Sequence, residues 1–201
     1  MIKAICFDLD GVYFTSDSFK NFKKHLPKEV NDEEKISYVL AKSDEMIRFK
    51  RGEMSEEEYW EYATMELKIK TDLDGICDCL RESYDINHEV ADYVTKVQKA
   101  GYKTCICSNN FITRVRELDN EWGFLDIFDI KVFSYEVGFM KPAREIYQVL
   151  ITKTGANPNE IVYADDDENK MTGAKDLGIN TFIYTNFNDF KNKLASLGVY
   201  I

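Results

Sequence analysis

The sequence predicts an α/β protein, a doubly wound parallel sheet that carries an inserted helical cap. Three observations support this. Short apolar runs fall at 2–7, 103–107, 130–133, 161–164 and 181–184, with helix-like stretches between the later ones. Glycines at 101, 155, 178 and 198 each follow an amphipathic stretch, as helix ends do. Between the first and second apolar runs lies a long tract with helical spacing and no convincing strand.

The first run, Ile2 to Phe7, is dense enough for a strand buried on both faces, and Gly11 permits a tight exit after Asp8-Leu9-Asp10. Phe19, Phe22 and Leu26 are spaced for one helical face ending at Pro27. Ile36, Val39 and Leu40, then Met46, Ile47 and Phe49, continue the pattern. Ser55 and Glu58 form a capping-box signature ahead of Tyr59, Trp60, Ala63 and Leu67. Residues 15–84 are therefore expected as the cap, and 1–14 with 85–201 as the core. A core helix over 87–100 leads into the second strand.

At 201 residues, 44% hydrophobic and 31% charged, the chain can bury a real core. No apolar stretch approaches the ~20 residues of a membrane span, and no cleavable leader precedes the first strand. The net charge of −10 disfavours nucleic acid and anionic membranes as partners. Cys105 and Cys107 read as small core side chains, and Cys77 with Cys79 lacks the further soft ligands a metal site needs. A reduced, cytoplasmic setting is expected.

The chemistry sits where the apolar runs end. Asp8 and Asp10 alternate with Leu9, and two carboxylates so close repel unless a cation or a shared proton separates them. The second run ends in Ser108-Asn109-Asn110, the fourth in Asp165-Asp166-Asp167, and Lys141 precedes Pro142. Each has an ordinary reading: Ser108 as a turn former, Lys141 as a surface lysine, the acidic triplet as a solvated helix start. Their joint order, carboxylate pair, hydroxyl, lysine, carboxylate pair, is what lifts them above it. This order resembles the four motifs of the haloacid dehalogenase (HAD) superfamily, and the likeness continues through Gly173 to Ile179. The resemblance implies a Rossmann-like core, and the cap is placed like the C1 cap of subclass I.

The resemblance also implies roles. Asp8 is the nucleophile that forms an aspartyl phosphate, and Asp10 the general acid and then base. Ser108 and the Asn109 backbone N–H hold the phosphoryl oxygens, while Lys141 offsets charge. Mg²⁺ suits an all-oxygen site of Asp8, Asp165, the Asp10 carbonyl and water, with Asp166 a further ligand or a group orienting water. The expected substrate is a small phosphate ester, with Arg51 of the cap reading its leaving group. Oligomeric state is left open.

Two departures stand out. Many subclass members carry an acid or amide where this chain has Lys170, with Asn169 one residue earlier. The stretch from Phe133 to Ile183, and Arg51 to Ser55, look similar to the α-glucose-1-phosphate phosphatase branch, whose members often have glycine in place of Asp10. A phosphomutase of the β-phosphoglucomutase type shares the motifs and stays open. A dehalogenase needs neither the metal nor Asp10, and receiver-type phospho-acceptors order their acidic residues differently and lack a cap.

Overall fold

The computed structural model describes residues 1–15, 30, 32–69 and 72–201. Its sheet has five parallel strands in the order β3-β2-β1-β4-β5: β1 (Ala4–Phe7), β2 (Lys103–Ser108), β3 (Ile130–Phe133), β4 (Ile161–Asp165) and β5 (Asn180–Ile183). Each strand lies within a residue or two of its apolar run. The reversal of strand order on either side of β1 is the Rossmann-like switch point, where such sheets open a crevice at the strands' carboxyl ends.

All four β1 residues are buried, as a strand covered on both faces requires. Ile5 and Phe7 pack in one cluster with Val90, Val94 and Phe190 from helices α5 (His88–Lys99) and α10 (Phe187–Ser196). Ala4 and Cys6 belong to the opposite cluster, with Ile146, Tyr147 and Leu150 of α8 (Arg144–Thr154), which follows the single turn α7 (Ser134–Val137), and with Ala174 of α9 (Thr172–Asp176). Cys105 and Cys107 sit in that second cluster as free, buried thiols, the packing role expected of them.

The register positions the chemistry. Phe7 pairs with Ala164 on one side and Ile106 on the other, so the next residues, Asp8 and Asp165, end neighbouring strands at one level. Pleat alternation puts Asp165 on the same face as Tyr163, two residues before it.

Between β1 and β2 the described residues form α1 (Glu33–Ser37), a π-helical turn (Tyr38–Lys42), α2 (Asp44–Lys50), α3 (Glu56–Leu67) and α4 (Leu73–Glu82). Phe19, Phe22, Leu26 and Pro27, expected in a first inserted helix, lie outside the described residues. The capping box at Ser55 and Glu58 is formed in both directions, at 2.8 and 3.2 Å. Past the end of β1, Phe14 and Ile86 form an isolated antiparallel bridge between the outgoing and returning segments. Against the sheet end the inserted helices meet α6 (Ile112–Trp122). The Trp60 indole N–H donates to Thr113 Oγ1 at 2.9 Å, Arg116 pairs with Glu56 at 2.9 Å, and Arg81 pairs with Glu117. No helix among the described residues is long and apolar enough to cross a membrane.

Candidate active site

Asp8 is buried just past β1, with its Oδ1 accepting the Leu9 N–H at 2.8 Å. Burial and the neighbouring Asp165 charge raise its pKa to about 6, although Lys141 and Lys170 pull the other way. Lys141 is itself buried, and its Nζ lies 2.9 Å from Asp8, 2.7 Å from Asp165 and 2.8 Å from the Tyr163 hydroxyl. Burial alone would lower the lysine pKa, but the two carboxylates raise it, so the ammonium is firmly charged. Against its own burial, Asp165 is held below the usual carboxylate range by Lys141, by the Tyr163 hydroxyl and by the Asp167 N–H at 2.9 Å.

Asn109 fixes the lysine from a neighbouring strand end. Its Oδ1 accepts the Lys141 N–H at 2.7 Å, and its Nδ2 donates to the Lys141 carbonyl at 2.9 Å. Its side chain therefore staples the Lys141 segment to the end of β2. Ser108 closes β2 with its hydroxyl buried and without a hydrogen-bond partner. A buried hydroxyl left unpaired is costly, which suits a site that awaits a polar ligand.

Oxygens of Asp8, Asp165 and Asp166 all lie within 4.8 Å of one another. They are hard, anionic donors on the ends of β1 and β4, the donor type that Mg²⁺ takes. Asp166 is the most exposed member, and partial desolvation with the adjacent Asp165 raises its pKa against the pull of Lys170. Gly11 lets Asp166 approach: its φ is +72°, and a Cβ there would collide with the Asp166 carboxylate.

Arg114 and Lys50 were not found from sequence. Arg114, buried on the first turn of α6, grips Asp10 with both terminal nitrogens, Nη1 to Oδ2 at 2.9 Å and Nη2 to Oδ1. Its guanidinium also lies 4.0 Å over the Tyr84 ring. Although Asp10 is partly buried, this pairing holds its carboxyl below the usual carboxylate range. That is the reverse of what a general acid needs at the start of a reaction, and it turns the Asp10 carboxylate to Arg114. The one signal available was a charged residue on the apolar face of α6, in step with Phe111, Val115 and Leu118.

Above Asp10 a cavity of about 400 Å³ separates the inserted helices from the sheet end. Lys50, Arg114, Trp60, Phe111, Tyr84 and Met46 are among the residues that line it. Arg51 is not among them: it caps α2 and is exposed, while Lys50 one residue earlier faces the cavity. The cation that faces this cavity is thus Lys50, one position before the expected Arg51. Burial, with Arg114 and Lys170 nearby, lowers the Lys50 pKa to about 8 in spite of Asp10.

A family model for haloacid dehalogenase-like hydrolases matches residues 2–178. The chain belongs to that family. An uncharacterised protein of Dictyostelium discoideum is 24% identical to this HAD-like hydrolase over 210 residues, covering 90% of each chain. The D-ribitol-5-phosphate phosphatase of Bacteroides thetaiotaomicron is 28% identical over 116 residues, which span 58% of this hydrolase and 50% of that enzyme. Among solved structures, the HAD family enzyme BT-2542 of B. thetaiotaomicron, in complex with magnesium and inorganic phosphate, superimposes with a TM-score of 0.79. Its identity is 22%, with 94% of this chain and 99% of that one covered. At that identity the likeness bears on the fold.

Proposed function

We propose that this hydrolase cleaves small phosphate monoesters, with Asp8 as nucleophile and Mg²⁺ as cofactor. The observation that carries the reading is the cluster of Asp8, Asp165 and Asp166 oxygens, with the unpaired Ser108 hydroxyl at the end of the adjoining strand β2. An anionic phosphoryl group needs both a hydroxyl donor and neutralised carboxylates to approach an aspartate. The relatives fit: one acts on D-ribitol 5-phosphate by name, and BT-2542 binds magnesium and phosphate.

Asp8, Asp165 and Asp166 would hold the metal, which would supply positive charge that lets a carboxylate meet a phosphate. Lys141, fixed by Asn109, sits between Asp8 and Asp165 and offsets one of their two charges. An Asp8 oxygen bonds to phosphorus as the ester P–O bond breaks, and the leaving oxygen takes its proton from solvent water, because Asp10 is held ionised. Water then attacks the same phosphorus, the Asp8–phosphoryl bond breaks, and inorganic phosphate leaves. Asp10, ionised by Arg114, suits the second step, where a carboxylate takes a proton from water. Ser108 donates to a phosphoryl oxygen throughout.

Residues 15–84 act as the cap in this reading, and the cavity under Lys50 receives the leaving group. Its size favours a small metabolite, and closing it excludes water. A panel of phosphomonoesters, scored for inorganic phosphate release with Mg²⁺ and again with EDTA, tests the proposal. Release is expected with metal and not without it. Undiminished turnover in EDTA would remove the metal, and isomerised sugar phosphate without phosphate release would favour the mutase.

A further inference from the structure

We propose that Lys170 is a displaceable counter-ion that competes with the divalent cation for the Asp8–Asp165–Asp166 cluster and so weakens its metal affinity. The inference rests on the metal site of the proposed function. Lys170 Nζ lies 3.8 Å from Asp8 Oδ2, 3.9 Å from Asp165 Oδ1 and 3.8 Å from Asp166 Oδ1. It is nearly equidistant from one oxygen of each residue. All three separations exceed hydrogen-bond length, so the ammonium offsets charge across the cluster without being tied to a single carboxylate.

The two lysines of the site differ in how they are held. Lys141 has no exposed side-chain surface and three partners within 2.9 Å. It is a fixed part of the site and remains when a cation binds. The Lys170 side chain is 31% exposed. The backbone of its turn (Glu168–Met171) is anchored where the Tyr147 hydroxyl donates to the Lys170 carbonyl, so only the side chain need move. A Mg²⁺ ion binds carboxylate oxygens at about 2.1 Å and would sit within a few ångströms of an ammonium in this position. Like charges so close oppose each other strongly even in a well-screened site. Binding the metal therefore requires Lys170 to swing toward solvent, and the metal-free cluster keeps its own cation until then.

The experiment measures Mg²⁺ binding by titration calorimetry and melting temperature with and without saturating Mg²⁺, in wild type, Lys170→Met and Lys170→Asn. Removing the charge should tighten Mg²⁺ binding at least about tenfold. Lys170→Asn, which adds an oxygen donor, should bind at least as tightly as Lys170→Met. The metal-free variants should melt below wild type, whereas the Mg²⁺-saturated proteins should melt alike. Equal or weaker Mg²⁺ affinity in both variants would overturn the inference and leave the metal site standing. A melting loss equal in both forms would reduce Lys170 to a structural residue and overturn it as well. Absence of Mg²⁺ binding in all three proteins would overturn both the inference and the metal part of the proposed function.

Discussion

Replacing Lys141 by methionine removes one buried positive charge while keeping the length of the side chain. The lysine Nζ lies 2.9 Å from Asp8 and 2.7 Å from Asp165, and those carboxylates are 2% and 0% exposed. Removing one member of a buried ion pair typically costs about 3–5 kcal/mol, because the remaining charge has no solvent to turn to. Here two carboxylates lose the same partner, and Lys170, at 3.8 and 3.9 Å from them, offers partial relief. At about 2–4 °C per kcal/mol for a chain of this size, Lys141→Met should melt about 6–20 °C below wild type near neutral pH.

The loss should depend on pH in a defined sense. Asp8 is already raised to about 6 with the lysine present, and removing the lysine pushes it higher. A carboxylate whose folded pKa lies above its unfolded value binds more protons when folded, so its contribution to stability falls as pH rises. The variant's deficit should therefore shrink on acidification from about pH 7 to about pH 5. Paired thermal melts across that range, in EDTA so that metal does not intervene, measure it. Lys141→Arg, which keeps the charge, should lose less. A melting point within about 2 °C of wild type, or a deficit that grows toward acid, would refute the reasoning.

Two further expectations follow from the geometry. Gly11→Ala should depress both Mg²⁺ binding and turnover by crowding Asp166, whereas Gly101→Ala, also at positive φ but with open space around it, should cost only backbone strain of about 1–2 kcal/mol. Calorimetry and urea denaturation of the pair separate the two effects, and equal Mg²⁺ affinity in both variants would remove Gly11 from the site. Lys50→Ala should raise KM for the best substrate of a phosphoester panel, yet barely affect p-nitrophenyl phosphate, while Arg51→Ala should change neither. Steady-state kinetics on both esters check this, and a larger effect at Arg51 would reverse the assignment.

Much of the fold was legible because its signals are local. Five apolar runs mark five strands, and the glycines at 101, 155, 178 and 198 all take positive φ at helix ends. The order of motifs pointed to Asp8, Ser108, Lys141, Asp165 and Asp166; parallel register brings the strand-end residues to one end of the sheet, and the Asn109 side chain holds Lys141 there. What was not legible depends on contacts far apart in sequence. Arg114 is 104 residues from Asp10, and the apolar spacing around it marks a buried charge without naming its partner. Lys50 and Arg51 are adjacent cations, and only the rotation of α2 decides which faces the cavity. Tyr163 reads as one more residue of an apolar strand, although its hydroxyl completes the Lys141–Asp165 network.

The central claim, that Asp8 attacks phosphorus, is tested most directly by acid-quenching the enzyme during turnover of p-nitrophenyl phosphate with Mg²⁺ and mapping its peptides by mass spectrometry. A phosphoryl group on Asp8 is predicted, with both the adduct and turnover lost in Asp8→Asn. Turnover that persists in Asp8→Asn, or a phosphoryl group carried by a different residue, would contradict the account.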